Sequence, residues 1–547
     1  MTEQERSNRL RHNLTVIYSC IYAIFLAVMG GIIYVNHQSR EYKYISELFS
    51  ICISLMGIGW LLFFHIDLFI YKRKILRRLL GTSLQADNIS TCTDFNFAIS
   101  FLGNEAPPYR FLTGRHSGSF YLKAGLAAFC FGHLINEGLQ LAQQVLNYLH
   151  EERRDQGCAE LSSLIIHTLK PLYSFYQLFM VFKYSNVIIY RYKELARFGV
   201  MHIMATCICF WFGTIVEDAL EDYQHRLAKM NEEKNNTDEL SCYHMPNSTE
   251  CLCVSSEILS FNNIQAIPYL YPFTIEFNLL LAGVWFIVWH NIGQDHQRAN
   301  PHHFNHKIDR TDGTEEVIYQ SNLVISADCH ASNKGLFAGL FMLMTSIISI
   351  IVFFVAMSSK EYHALGVSIH HFQDGTLTIV TLGGVILAYK QLSKLDFNYH
   401  PITFLDDVLL FIPLPFFFVQ ALLTIMSEFH NQNLLRSIMW VLVPLQVLLQ
   451  TPFIIDGLRR CSNTQSLRYK KPGREIVTFL IVCNLTMWII NTFEAKSVES
   501  QYGQKAYFGE FLWMFISHTT LPLMLFYRFH SSVCLADIWK SAYEKGE

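Results

Sequence analysis

Long apolar runs alternate with short polar segments along most of the chain. Twelve of these runs are about twenty residues long, the length of helix that crosses the hydrocarbon core of a bilayer. The pattern predicts an all-α membrane protein with twelve transmembrane helices. The predicted spans are residues 14–35, 47–70, 121–147, 162–188, 197–219, 265–289, 335–357, 367–391, 403–427, 435–457, 474–494 and 508–530.

The composition agrees with this pattern. Of the 547 residues, 51% are hydrophobic and 16% are charged, whereas soluble domains carry about 25% charged residues. The net charge of −3 gives no indication of a nucleic-acid partner. The 14 cysteines show no zinc-binding spacing, and most lie in apolar runs, where a free cysteine behaves as a small hydrophobic residue. The first apolar run is too long for a signal peptide and lacks a clear cleavage site.

The basic loops indicate how the chain is oriented. If the N-terminus is cytosolic, the most basic loops, 71–78, 191–197 and 457–474, all lie on the cytosolic side, as short basic loops tend to do. The loop 220–263 then lies outside the cell. Because the number of spans is even, the C-terminus is predicted to be cytosolic as well.

The loop 220–263 has two further features that suit an extracellular location. It carries glycosylation sequons at Asn235 and Asn247. It also contains three cysteines that could pair in an oxidising compartment, in a pairing that the sequence leaves open: Cys242, Cys251 and Cys253. Two histidines of this loop, His225 and His244, are solvated residues or sensors of external pH.

The polar segments divide the chain into two halves of six spans. The predicted parts are a cytosolic N-terminus (1–13), an N-domain (14–289) with a cytosolic loop (71–120) and the extracellular loop (220–263), a cytosolic linker (290–334), a C-domain (335–530) and a cytosolic C-terminus (531–547).

Three helices of one half align with three helices of the other on their polar and aromatic residues. The alignment starts from Trp211 and Trp488, which stand in similar strings. It matches Gln177 with Gln450, Cys207 with Asn484, Glu217 with Glu494 and Phe277 with Tyr527. Since six spans return the chain to its starting side, both copies run in the same direction. We therefore predict two parallel six-helix repeat domains.

Polar side chains within the spans are the candidate functional residues, because such groups are costly in hydrocarbon and usually face protein or water. In the first half they are His133, Glu137, His167, Gln177 and Glu217; in the second half they are Asp406, Asp407, Gln446, Gln450, Asn484, Glu494, His518 and Tyr527. Carboxylates and imidazoles can pass protons, while amides and hydroxyls can hold waters in line.

A structural role is the alternative for each candidate. Glutamine and asparagine often join helices by hydrogen bonds. Glu217 and Glu494 lie near helix ends, where a carboxylate can reach water, and Asp406 and Asp407 can cap a helix start. His530 stands at a predicted membrane edge and suits an interfacial anchor.

Several classes of membrane protein are disfavoured. No span has the arginine ladder of a voltage sensor, and neither a potassium filter nor a phosphate-binding loop occurs. Several histidines follow residue 289, but the sequence lacks the further short histidine motifs that ligate iron in a membrane di-iron enzyme. The sequence therefore predicts a protein that is not an enzyme and has no catalytic residues, metal site or cofactor.

The chain resembles the otopetrin family of proton channels over nearly all its spans. The resemblance rests on the stretches MHIMATCICFW (201–211), LYPFTIEF (270–277), LDDVLL (405–410), LLQTPFIIDGLRR (448–460), NLTMWIINTFEAK (484–496) and LPLMLFYRFHSSVCLADIW (521–539). It implies an N-domain and a C-domain of six helices each, in a homodimer, with a sterol such as cholesterol as a plausible lipid partner at the domain interfaces.

The resemblance also implies roles for particular residues. The family's C-domain constriction maps onto Gln450, Asn484 and Tyr527. Its N-domain counterparts are Gln177, Cys207 and Phe277, where a thiol and a phenyl ring replace groups that hold water better. The glutamate and histidine at the domain boundary map onto Glu217 and His518.

These observations predict a proton-selective channel of the plasma membrane that admits H⁺ when the outside is acidic. A proton-coupled secondary transporter is the alternative, because two parallel halves also suit that class. The weak signs for it are the glycine pair at 383–384 and the prolines at 413 and 415. A receptor or scaffold without transport is a third interpretation.

Overall fold

The computed structural model describes residues 3–36, 40–81, 108–111, 120–149, 160–185, 187–232, 243–244, 251–252, 267–293, 333–357, 362–398, 404–494 and 502–546. The predicted glycosylation sites Asn235 and Asn247 lie outside these residues, as do Cys242 and Cys253.

Helices occupy each predicted span, one of them in two pieces. The helices are α1 (Glu3–Val35), α2 (Arg40–Gly81), α3 (Phe120–Leu149), α4 (Leu161–Tyr184), α5 (Lys193–Glu232), α6 (Ile267–Asn291), α7 (Asn333–Met357), α8 (His363–Leu392), α9 (Phe404–Phe411), α10 (Leu414–His430), α11 (Leu434–Leu458), α12 (Gln465–Lys470), α13 (Arg474–Glu494), α14 (Tyr502–Phe508) and α15 (Glu510–Ser541). Within the described residues, nine helical segments are long and apolar enough to cross a membrane. The helices α3, α4 and α15 are also long but carry more polar residues.

The helices depart from the predicted bounds in two ways. The span predicted at 403–427 is broken into α9 and α10 by a turn at Ile412 and Pro413. Proline has no amide hydrogen and a fixed φ, so it fits the first turn of a new helix better than the middle of one. In addition, α2, α5 and α15 extend past the predicted spans. Charged residues continue α2 and α5 beyond the apolar runs, whereas the added turns of α15 carry buried apolar side chains such as Leu535 and Ile538, which pack inside the second half.

Short antiparallel strands pair with one another near the ends of some helices. Three two-stranded antiparallel ladders occur in the described part of the chain. They pair β1 (Tyr109–Phe111) with β2 (Val187–Ile189), β3 (Tyr243–His244) with β4 (Cys251–Leu252), and β5 (Asp396–Phe397) with β6 (Arg460–Cys461).

The same pattern of helix neighbours occurs in both halves. In the first half, α5 packs against α1, α2 and α6, while α4 packs against α2 and α3, and α3 against α6. In the second half, α13 packs against α7, α8 and α15, while α11 packs against α8 and α10, and α10 against α15. Each half has its own main cluster of buried apolar side chains.

The two halves meet along the last helix of each. Helix α15 contacts α3, α5 and α6, and α6 also contacts α9 and α13. Aromatic rings fill part of this seam: Phe129 and Phe273 of the first half pack edge-on against Trp488 of the second, at centroid distances of 5.8 Å each.

Candidate functional site

A chain of three buried amide side chains lies inside the second half. Gln446 Nε2 donates to Gln450 Oε1 at 2.7 Å, and Gln450 Nε2 donates to Asn484 Oδ1 at 2.9 Å. Gln446 and Gln450 are four residues apart on α11, which puts both on one helix face, opposite Asn484 on α13. All three side chains are fully buried. The structure therefore joins three residues that the sequence identified separately.

The hydroxyl group of Tyr527 lies beside this chain. Tyr527 on α15 shares a hydrogen bond of 2.9 Å with Thr451, the residue after Gln450. It also donates to the carbonyl of Val447 at 3.3 Å. The helices α11, α13 and α15 thus bring amide and hydroxyl groups to one place. These groups can form hydrogen bonds to a row of water molecules, or bond to one another and close the space to water.

A buried arginine that sequence reasoning missed lies at one end of the amide chain. Arg528 Nη1 donates to Gln446 Oε1 at 2.6 Å, and the side chain is 4% exposed. Its guanidinium faces the rings of Phe417 and Tyr527, at 5.5 and 5.8 Å from their centroids. Such a group is a fixed positive charge, since arginine stays protonated in proteins.

A cavity of about 100 Å³ leads to this arginine. Its polar lining includes His370, Asp374, Arg436, Asn491, Gln504 and Arg528. The amide chain therefore connects at Arg528 to a space that is large enough for a few water molecules.

The corresponding place in the first half is closed by a sulfur and aromatic rings. Gln177 Oε1 accepts hydrogen bonds from Cys207 Sγ at 3.3 Å and from Trp285 Nε1 at 3.1 Å. Phe277 is fully buried and stacks on His133, with the ring centroids 5.2 Å apart. Thiol and indole groups saturate the amide oxygen that a water would otherwise use.

Four charged or ionisable side chains meet elsewhere in the first half. Lys170 Nζ lies 3.9 Å from an oxygen of Glu137 and 3.9 Å from an oxygen of Glu217. His167 Nδ1 lies 3.0 Å from the other oxygen of Glu137. The sequence had identified Glu137, His167 and Glu217, but not the lysine that joins them.

Ionisable groups also line the seam between the halves. His518 Nε2 lies 3.7 Å from Asp218 and 4.0 Å from Asp222, so this histidine faces two aspartates while Glu217 faces Lys170. In another part of the seam, Glu276 accepts a hydrogen bond of 2.7 Å from the indole of Trp488. Sequence reasoning had not singled out Glu276 or Asp218.

The other candidates lie apart from these groups. Asp407 forms an ion pair with Arg459 at 2.8 Å, and Asp406 lies near His530, at 3.8 Å. The backbone of Glu494 ends α13, but its side chain lies outside what the structure describes.

A comparison with protein families decides what kind of protein carries these groups. The model of the family described as Otopetrin matches residues 121–251 and 228–529. The chain belongs to the otopetrin family. This match confirms the resemblance seen in the sequence.

This otopetrin has relatives that are named as proton channels. It is 32% identical to the proton channel OtopLc of Drosophila melanogaster, in a match that covers 78% of this chain and 28% of the fly protein. It is 20% identical to the proton channel OTOP1 of Danio rerio (78% of this chain, 79% of the relative) and 22% identical to OTOP3 of Homo sapiens (70% and 68%). The chain thus spans less than a third of the fly relative's length. Since the relatives are channels, the comparison agrees with the prediction that the protein is not an enzyme.

The sequence already contained a signal for the functional residues that it was not used to predict. Lys170, Arg528 and Glu276 all lie inside predicted spans, and a charged residue in such a position is by default a candidate with a partner. Their partners are distant in the sequence, so only the fold could identify them.

Proposed function

We propose that this otopetrin is a proton-selective channel that admits H⁺ on extracellular acidification, and that its main route is the buried amide chain of the second half. The observation that carries the proposal is the continuous sequence of contacts from the cavity through Arg528, Gln446 and Gln450 to Asn484. The relatives named as proton channels support it.

The proposed architecture has twelve spans in two parallel six-helix domains with cytosolic termini. The recurrence of the same helix neighbours in both halves supports this arrangement. With this orientation, the helices α8 and α13 place Asp374 and Asn491 towards the outside, so the cavity opens towards the extracellular side. The ion pair of Asp407 with Arg459 then lies at the cytosolic side.

In the proposed mechanism, the amides control the row of waters and Arg528 positions the first of them by donating to Gln446 Oε1. The closely packed amides leave no room for hydrated Na⁺ or K⁺, whereas a proton can pass by exchange between hydrogen-bonded waters, its positive charge moving along the row. The fixed charge of Arg528 at the base of the cavity hinders every cation, protons included, so it limits the current and does not set the selectivity. The Gln450–Asn484 contact must open for waters to enter, and the hydroxyls of Tyr527 and Thr451 then provide donors and acceptors beside them.

We propose that the first half does not conduct. The oxygen of Gln177 is already bonded to Cys207 and Trp285, and Phe277 offers no hydrogen-bonding group. The cluster of Lys170 with Glu137 and Glu217 lies nearer the extracellular side of this domain. Its role in this proposal is to hold the helices α3, α4 and α5 together.

A second route along the seam is favoured by one observation. Glu276 Oε2 is buried and has no hydrogen-bond partner among the described residues, so it has an acceptor site for a water or a proton. His518 with Asp218 forms the extracellular part of this seam in the proposed orientation.

The proposed function is tested by whole-cell current during extracellular acidification, with no added solute. A proton channel should give a reversal potential that shifts by about 59 mV per pH unit, since one pH unit is about 1.36 kcal/mol per proton and 100 mV is about 2.3 kcal/mol per charge. Replacing external Na⁺ should leave that potential unchanged. A current that needs a co-substrate would instead favour the proton-coupled transporter.

Other properties inferred from the sequons and from the resemblance stay predictions. These are the plasma membrane as location, glycosylation at Asn235 and Asn247, a homodimer and a sterol lipid at the domain interfaces. The homodimer is checked by the mass of the purified protein, and glycosylation by a mobility shift after enzymatic deglycosylation.

A further inference from the structure

A carboxylate, an imidazole and a thiol meet where α9 begins beside α15. Asp406 lies in the first turn of α9. His530 and Cys534 are four residues apart on α15, so they share one helix face. Both are buried, while Asp406 is half-buried. None of these side chains belongs to the amide chain or to the seam.

The separations of the three groups suit a shared metal ion. His530 Nε2 lies 3.8 Å from Asp406 Oδ1 and 3.5 Å from Cys534 Sγ, and the three atoms all lie within 4.8 Å of one another. Zinc bonds to oxygen, nitrogen and sulfur are about 2.0–2.3 Å long, so the ligand atoms of a tetrahedral ion lie about 3.3–3.6 Å apart. Two of the three separations are already close to that range.

The environment of His530 is a second, independent observation. Its ring stacks on Phe526 at a centroid distance of 5.6 Å and an angle of 8°, which fixes the imidazole plane. Its Nδ1 is buried without a hydrogen-bond partner among the described residues. This nitrogen therefore does not hold the ring in place. The contacts that do are the stacking on Phe526 and those of Nε2, which faces Asp406 and Cys534, so Nε2 is the ring atom that is placed to bind an ion.

We propose that Asp406, His530 and Cys534 bind Zn²⁺, with a water molecule as the fourth ligand. Sulfur and imidazole ligands suit zinc, whereas Mg²⁺ and Ca²⁺ need oxygen ligands. As the S–Zn bond forms, Cys534 loses its thiol proton to solvent. The carboxylate and the thiolate then balance the two positive charges of the ion.

Zinc at this site would join two helices close to the proposed route. His530 is three residues beyond Tyr527 on α15, so the ion lies about one helical turn from Tyr527. In the proposed orientation the site is at the cytosolic side, and it ties α9 to α15 there. Cytosolic Zn²⁺ should therefore restrain α15 and lower the proton current. This consequence rests on the proposed function, whereas the binding itself does not.

Binding is tested with Co²⁺ as a spectroscopic probe on the purified full-length protein. The wild type should show a thiolate-to-cobalt charge-transfer band and the visible absorption of tetrahedral Co²⁺, both removed by added Zn²⁺. Cys534→Ser should lose the charge-transfer band. Cys461→Ser is the matched control, because Cys461 is also a buried thiol in the second half but lies outside the cluster.

Asp406→Asn is a second, nearly isosteric variant. It tests whether these residues bind the metal if Cys534→Ser does not fold. It should weaken Zn²⁺ binding by about tenfold or more. Metal bound by histidines or cysteines elsewhere in the chain would persist in both variants. No cobalt–thiolate band in the wild type, or an unchanged band and affinity in the folded variants, would overturn the proposal.

Inside-out patches test the consequence for conduction. Zn²⁺ on the cytosolic side should lower the wild-type proton current and leave that of Cys534→Ser unchanged. Equal inhibition of both would refute the link to conduction. If the protein carries no proton current at all, the proposed function fails, while the cobalt spectra still decide on the metal site.

Discussion

Replacing Lys170 with methionine should destabilise the first half by removing the positive charge between two carboxylates. Lys170 Nζ lies 3.9 Å from an oxygen of Glu137 and of Glu217, and the lysine is buried. Without this charge, Glu137 keeps only histidines as ionisable neighbours in the described structure, His167 at 3.0 Å and His133.

The contact with Glu137 sets the size of the effect. At 3.9 Å, two unit charges attract by about 4 kcal/mol if the effective dielectric constant is about 20. The side chains of Lys170 and Glu137 are only 11% and 3% exposed, whereas that of Glu217 is 29% exposed and is screened by solvent. Removing one partner of a buried pair costs about 3–5 kcal/mol, because the other charge stays buried without compensation. We expect a loss of that size for Lys170→Met.

The assay is thermal unfolding of the purified protein in detergent, followed by the fraction that still elutes as a single species after heating. Lys170→Met is compared with Glu137→Gln and with the double variant. The double variant should be more stable than Lys170→Met, since it removes both charges. Glu217→Gln should cost less than Glu137→Gln. The reasoning is refuted if Lys170→Met melts like the wild type, or if the double variant is no more stable than Lys170→Met.

Two further predictions concern conduction and helix packing. Arg528→Gln should raise the acid-evoked current per channel at the cell surface while the reversal potential stays at the proton equilibrium potential, because a positive charge in the route hinders all cations alike; Arg528→Lys, which keeps the charge, should not raise it. A reversal potential that moved towards that of Na⁺ in Arg528→Gln would contradict selectivity by the narrow amide site. Gly335→Ala should lower stability by about 1–3 kcal/mol in the same thermal assay, because its Cβ would collide with the backbone oxygen of Glu475. Gly383→Ala is the control, since a Cβ at Gly383 meets nothing within 4 Å, and equal melting of both variants would count against the packing of α7 on α13.

The sequence predicted the helices well because their signal is local. An apolar run of about twenty residues indicates a span without knowledge of its neighbours. The amide chain could also be anticipated, since Gln450 and Asn484 stand out in apolar surroundings. Their direct contact at 2.9 Å needed the fold. Pro413 was noted only as a weak sign of the broken helices of a transporter, and the span 403–427 was predicted to be continuous.

The partners of charged residues could not be predicted from the sequence. Successive residues on a helix point about 100° apart, so the neighbours Glu217 and Asp218 face different helices. Alignment of the two halves drew attention to Glu217, yet it is Asp218 that lies near His518. The choice between them depends on how α5 is rotated against α15, and no local pattern specifies that rotation.

In the proposed mechanism, protons cross the second half of the protein and not the first. The most direct test is the acid-evoked current of Gln450→Leu and Gln177→Leu, each divided by the amount of protein at the cell surface. These glutamines occupy matching positions in the two halves, and each variant replaces a buried amide with an apolar side chain of similar size. We predict that Gln450→Leu abolishes the proton current and that Gln177→Leu retains it. A current that survives in Gln450→Leu but is lost in Gln177→Leu would show that protons cross the first half instead.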